Sequence, residues 1–169
     1  MDALEAILTR RSIRKYTKDP VPENIVRELL AAAMSAPSSE GERPWYFTVI
    51  TERALLNEIS AKVKYSEMLR GATLAIAVCS ALNLQTSDGF WVQDCSASTQ
   101  NILLAAHARG LGAVWIGLYP VENRAVSIQN ILGLPEDVIP FSLVSIGYPA
   151  EIKMRVDRYD EARVHYNQW

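Results

Sequence analysis

The sequence predicts one domain in which helices pack on a sheet, and three observations carry that reading. The chain has 169 residues, about the length of a single ordinary domain. Its apolar fraction of 49% is what a protein with a real core carries. Segments with apolar residues at helical spacing alternate with short β-branched and aromatic runs, without repeats, low-complexity tracts or an internal linker.

Asp2 is placed to cap a first helix with Ala3, Leu4, Ile7 and Leu8 on one face. It closes near Arg10, where the dipole favours the basic residues that follow. Next, Pro20 and Pro22 fix the entry to a second helix, Ile25, Val26, Leu29, Leu30 and Ala33 form its apolar stripe, and Pro37 ends it. Residues 45–51, rich in aromatic and β-branched side chains, read as a strand, and a helix over 52–63 follows. Residues 73–80 read as a buried strand. From about Gly89 to Arg109 the pattern is helical, with small Ser96, Ala97, Ser98, Ala105 and Ala106 letting another backbone approach; this helix is expected to be central and a candidate subunit contact. Gly110 and Gly112 stop it, 113–118 returns as a strand, and a helix over 122–132 and a strand over 141–147 complete the set. The tail from Tyr148 is too polar to build a core. Its aromatic end, with His165, Tyr166 and Trp169, favours docking on a partner subunit, because a large exposed side chain forgoes about 1.5–3 kcal/mol.

Charge and cysteine usage exclude several classes. With 17 basic and 19 acidic residues the formal charge is −2, so no global basic field draws nucleic acid or anionic lipid, and small molecules or another protein are the expected partners. Cys79 and Cys95 have neither CxxC spacing nor a flanking His cluster, which argues against a metal site or a disulfide framework. The opening MDALEAILTRRS places its basic group after the apolar stretch, the reverse of a secretory signal, and the apolar runs are short for a membrane span. A reducing cytoplasm is the expected location.

Three constellations could carry chemistry. Arg10, Arg11, Ser12 and Arg14 put three guanidiniums and a hydroxyl where a helix gives way to a loop, which suits a phosphate-bearing ligand, although solvated basic helix ends are common. The loop from Ala36 to Trp45, held between prolines, could bring Pro37, Ser38 and Ser39 against the edge of a flat heterocycle, or could be a plain connection. The run GLGAVWIGLYP lacks GxGxxG order and has its strand after the first glycines, so a Rossmann fingerprint is rejected, while Gly117 could still allow close ligand approach at a strand end.

Taken in order, RRSIRKY, APSSEGERPW, AAHARGLGAVWIGLYP, LGLPEDVIPFSLVSIGYPAE and an Arg-containing tail resemble the FMN-dependent nitroreductase family across nearly the whole chain, at the length of its compact members. The resemblance implies an α+β sandwich: a mixed, mostly antiparallel sheet flanked by helices, forming one domain over 1–169 in a homodimer with FMN at the subunit interface, residues 149–169 being a C-terminal extension that docks on the partner. It implies that Arg10 and Ser12, with Arg11 through its backbone, hold the FMN phosphate together with Arg158, or with Arg155 as its competitor. Arg14 matches a basic position near flavin N1 and O2. Pro37, Ser38 and Ser39 match the loop reaching the other subunit's flavin, and Gly117 and Leu118 match the strand end whose backbone N–H faces N5 and O4. Two places in the loop depart from the family pattern, since Gly41 and Arg43 stand where an Asn and a Gln are usual.

The implied activity passes hydride from NADH or NADPH to FMN and on to a nitroaromatic, quinone or similar small acceptor. The flavin does the chemistry, so no catalytic nucleophile is required. That fits a chain with two histidines, His107 expected as a packed or exposed helix residue and His165 as a tail anchor. Asp94 and Gln93 could face the flavin or form a buried, satisfied pair. The alternatives are a relative that uses reduced flavin with oxygen or for reductive dehalogenation, and a non-catalytic flavin-binding protein.

Overall fold

The computed structural model describes residues 1–85 and 89–169. Its elements in chain order are α1 (Ala3–Thr9), α2 (Glu23–Met34), β1 (Trp45–Ile50), α3 (Arg53–Lys62), β2 (Leu74–Ala81), α4 (Trp91–Ala108), β3 (Gly112–Gly117), α5 (Glu122–Leu132) and β4 (Val138–Gly147). The strands form one sheet in the order β1-β2-β4-β3, every neighbouring pair antiparallel. A single parallel bridge from Ser12 to Ala113 makes it mixed, as the α+β reading expects.

Strand periodicity sorts the core into two halves. On β2, Leu74, Ile76 and Val78 meet Val26, Leu29 and Ala33 of α2 and Ile102 and Ala106 of α4. The alternate residues Ala75, Ala77 and Cys79 meet Leu56 and Ile59 of α3 and Ile128 of α5. The sheet is thus sandwiched between α2 with α4 and α3 with α5, and β2, lying inside it, is buried at all its positions. The small residues of α4 act as expected: α2 comes close enough for Asn101 Nδ2 to donate to the Ala32 carbonyl at 2.9 Å. None of the described helices is long and apolar enough to cross a membrane.

Two sequence expectations change. Asp2 does cap α1, its Oδ1 accepting the amides of Leu4 and Glu5 at 2.8 and 3.2 Å, but the face meant for the core is outside it. Ala6 is buried while Leu4, Ile7 and Leu8 are exposed. The last strand begins at Val138 rather than 141, because Pro140, which has no N–H to give the ladder, lies opposite Cys79 at a register shift that absorbs the missing bond.

Candidate functional site

The basic N-terminal segment is laid into the fold by contacts far along the chain. The Ile13 amide donates to the Ala113 carbonyl at 3.0 Å, and Ala150 donates to the Lys15 carbonyl at 2.8 Å. Gly112 makes the first contact possible, since a Cβ there would lie 2.5 Å from Ile13 Cγ2. The start of the tail completes the clamp. Glu151 Oε1 accepts the amides of Arg14 and Lys15 at 2.6 and 3.2 Å, Lys153 Nζ donates to the Ser12 carbonyl at 2.7 Å, and the Arg11 guanidinium donates to the Met154 carbonyl. The Arg14 amide, reinforced by Lys153, holds the Glu151 carboxyl below its ordinary range against the opposing cost of desolvation. The extension 149–169 therefore begins by docking on its own chain, and only beyond this clamp do Tyr159, Tyr166 and Trp169 stand exposed.

This clamp gathers cations. Arg10, Arg11, Arg155 and Arg158 line one cavity of about 260 Å³ beside the exposed Ile7 and Leu8. Burial, then the charges of Arg158 and Arg11, push the Arg10 guanidinium below its ordinary pKa. Asp157 also lines the cavity, but its Oδ1 accepts the Tyr159 amide at 3.1 Å. Crowded guanidiniums of this kind form a receptor for a multiply charged anion, because a phosphate would remove the mutual repulsion and accept several forked hydrogen bonds. Arg14 is exposed and lines no part of this cavity, and Ser12 contributes its backbone to the clamp.

Pro37, Ser38 and Ser39 lie elsewhere, with Phe90, Gln93, Asp94 and Ala97 around a second cavity of about 350 Å³ that shares no residue with the first. The loop is tightly wound: Glu40, Gly41 and Arg43 all take positive φ, at 48°, 74° and 51°. The Arg43 amide donates to Ser38 Oγ at 3.0 Å, so the residue standing in place of the family's Gln holds the loop by its backbone. Asp94, 5% exposed, accepts the Ser39 amide on Oδ1 at 3.0 Å, while its buried Oδ2 has no partner among the described residues. The expected buried pair does not form: Gln93 is exposed, and the partner of Asp94 is the Ser39 amide. Burial raises the Asp94 pKa, with Glu42 adding to the rise and the Ser39 amide opposing it.

A raised folded pKa means that Asp94 contributes stability below the unfolded value, near 3.8, and that this is lost as pH rises through the folded value. Asp94→Asn keeps an acceptor for Ser39 and cannot ionise. The thermal midpoint of the parent minus that of the Asn variant should fall as pH is raised from 4 toward 7; a flat difference would contradict the assignment.

At the end of β3, Gly117 has open space where a side chain would stand. Leu118 is fully buried and its amide donates to the Phe141 carbonyl at 3.2 Å, so Leu118 serves packing and its N–H is already engaged. Sequence reasoning missed Arg124, whose Nη1 donates to the Gly117 carbonyl at 3.0 Å. One signal was present: Arg124 is a cation in the first turn of α5, where the helix dipole disfavours it. His107 is partly buried, its Nε2 2.8 Å from Thr9 Oγ1, and burial and Arg10 lower its pKa. His165 stacks on Trp169 with ring centroids 4.5 Å apart in the exposed tail. Cys79 and Cys95 are free and buried, and burial raises both thiol pKa values.

Known proteins share the sequence pattern and the fold of this chain. The sequence model of the Nitroreductase family matches residues 7–64 and 57–148. A protein of Methanothermobacter thermautotrophicus with the provisional name NADH dehydrogenase/NAD(P)H nitroreductase is 50% identical over 169 residues, covering 100% of this chain and 88% of its own length. The solved FMN-dependent nitroreductase of Clostridium difficile superposes with a TM-score of 0.92 at 30% identity, covering 98% of this chain and 99% of that one. The NADPH:FMN oxidoreductase of Vibrio harveyi, complexed with NAD+, does so with a TM-score of 0.85 at 26% identity, covering 98% and 77%. With the family motifs in order along one fold and a relative matched over the full chain, this protein belongs to the nitroreductase family.

Proposed function

We propose that this chain is an FMN-dependent NAD(P)H oxidoreductase that works in the cytoplasm as a homodimer, reducing a small acceptor such as a nitroaromatic or a quinone. The observation that carries the reading is the cavity lined by Arg10, Arg11, Arg155 and Arg158, whose crowded positive charge fits the phosphate end of FMN. When bound, FMN supplies the hydride carrier between nicotinamide and acceptor.

The protein's part is to bind, orient and polarise. Arg10 and Arg158 hold the phosphate with Arg11 and Arg155 beside them, and Ser12 is kept at that end by its bridge to Ala113. Arg14 would set its cation toward the N1 and O2 edge of the bound flavin, an interaction that strengthens where water is excluded. Gly117 leaves room for a flat ring at the strand end. Pro37, Ser38 and Ser39, at a separate cavity of the same chain, serve the flavin of the second copy. The homodimer is further supported by the apolar area that a second copy would cover, namely Leu4, Ile7 and Leu8 of α1 and Ile152 and Met154 of the tail. The buried free thiols suit a reducing compartment.

The test is the absorption spectrum of the purified protein followed by anaerobic titration with each nicotinamide. A yellow protein bleached by NADH or NADPH is expected; a colourless one that ignores added FMN would overturn the reading, and a yellow one bleached by neither would make it a non-catalytic flavin binder. Arg14→Ala should slow flavin reduction in stopped flow by about 10-fold or more while changing FMN affinity less. Unchanged reduction would remove Arg14 from that role.

A further inference from the structure

The clearest cationic cluster outside the arginine cavity is built on one aromatic ring. Tyr65, 58% exposed, stands in a left-handed backbone conformation with φ 67°, which is costly for a bulky side chain and persists only where surrounding structure holds it. Lys64 Nζ lies 4.9 Å from the centroid of the Tyr65 ring and Arg124 Cζ lies 5.1 Å from it. Among the described residues neither cation belongs to a salt bridge. Arg124 also donates to the Gly117 carbonyl at 3.0 Å, so a single side chain joins the ring to the strand end where the backbone is open. A ring more than half exposed offers apolar contact to a planar base, and the two cations held over it offer charge to a phosphate. A nucleoside phosphate presents both features together.

We propose that Tyr65, Lys64 and Arg124 form the docking shelf for the adenosine 2′-phosphate end of NADPH and make NADPH the preferred reductant. This rests on the NAD(P)H oxidoreductase reading and adds to it the choice of nicotinamide. Adenine packs against the exposed part of the Tyr65 ring, and the 2′-phosphate, which NADH lacks, meets Lys64 and Arg124 above it. The arginine cavity is left to the flavin phosphate, with which the shelf shares no residue.

The test uses flavin-loaded protein and adenosine 2′,5′-bisphosphate as the probe, with adenosine 5′-monophosphate as its control, in isothermal titration. The parent should bind the bisphosphate about 10-fold more tightly than the monophosphate, a margin that shrinks with added salt. Lys64→Glu should abolish that margin and raise the ratio of KM for NADPH to KM for NADH about 10-fold. Tyr65→Asn, which keeps a residue tolerant of the left-handed backbone, should weaken both nucleotides about equally. Equal binding of the two probes by the parent, or a margin that survives Lys64→Glu, overturns the proposal while a yellow, reducible protein leaves the oxidoreductase reading standing. A parent that holds no FMN overturns that reading, and this inference with it.

Discussion

Arg10→Ala is expected to leave the purified protein pale, with its affinity for FMN reduced about 10- to 100-fold. A hydrogen bond to a charged partner is worth about 1.5–3 kcal/mol, and each 1.4 kcal/mol is a factor of ten. Burial and the charges of Arg158 and Arg11 all oppose the charged form of Arg10. That burden gives the prediction a second, opposite readout. Removing Arg10 relieves repulsion in the flavin-free protein, so its thermal midpoint should hold or rise while FMN affinity falls. Arg10→Lys should fall between, because an ammonium keeps the charge and loses the planar fork. Fluorescence titration of flavin-stripped protein with FMN measures the affinity. Parent-like occupancy in the Ala variant would show that the cavity holds something other than the flavin phosphate.

The second large effect is on the fold, and through it on the site. In Gly112→Ala the new Cβ would stand 2.5 Å from Ile13 Cγ2 and 2.8 Å from Ile13 Cβ. Neither is the far end of a flexible chain, so the N-terminal segment itself has to move. Overpacking of this kind costs about 1–3 kcal/mol. For a domain of this size each kcal/mol lowers the thermal midpoint by about 2–4 °C. Ile13 lies between Ser12 and Arg14, so the segment pushed off β3 is the one that carries the cations, and FMN affinity should drop together with stability. Gly71→Ala is the control, because its nearest neighbour, the Met68 carbonyl oxygen, would be at an ordinary 3.7 Å. If the two alanine variants melted together, the close approach of Ile13 to Gly112 would be wrong.

Local patterns read well wherever burial follows from periodicity. The stripe on α2 buries Val26, Leu29 and Ala33 as its spacing requires, and the small residues of α4 admit α2. The same reasoning misjudged α1, because an apolar face announces that it will be covered without saying by what, and Leu4, Ile7 and Leu8 lie outside the core of their own chain. It also began β4 at 141 rather than Val138, since the register shift on β2 that accommodates Pro140 leaves no mark in the sequence. Leu118 and Gly117 are neighbours with opposite fates: one is fully buried with its amide engaged, the other faces open space. Only the packing of β3 against β4 separates them.

By itself the sequence determined the helices, the strands and the ordered motifs of the family, for these depend on side-chain period, turn chemistry and residue type within short windows. The tertiary structure alone decided that Arg155 and Arg158 close on Arg10 and Arg11, that Glu151 and Lys153 pin the segment carrying them, and that Asp94 is left with an unpaired oxygen. Those meetings join residues far apart along the chain, and no local spacing records them. They exist because a glycine with no side chain lets the N-terminal segment lie against the sheet, which brings the tail across it.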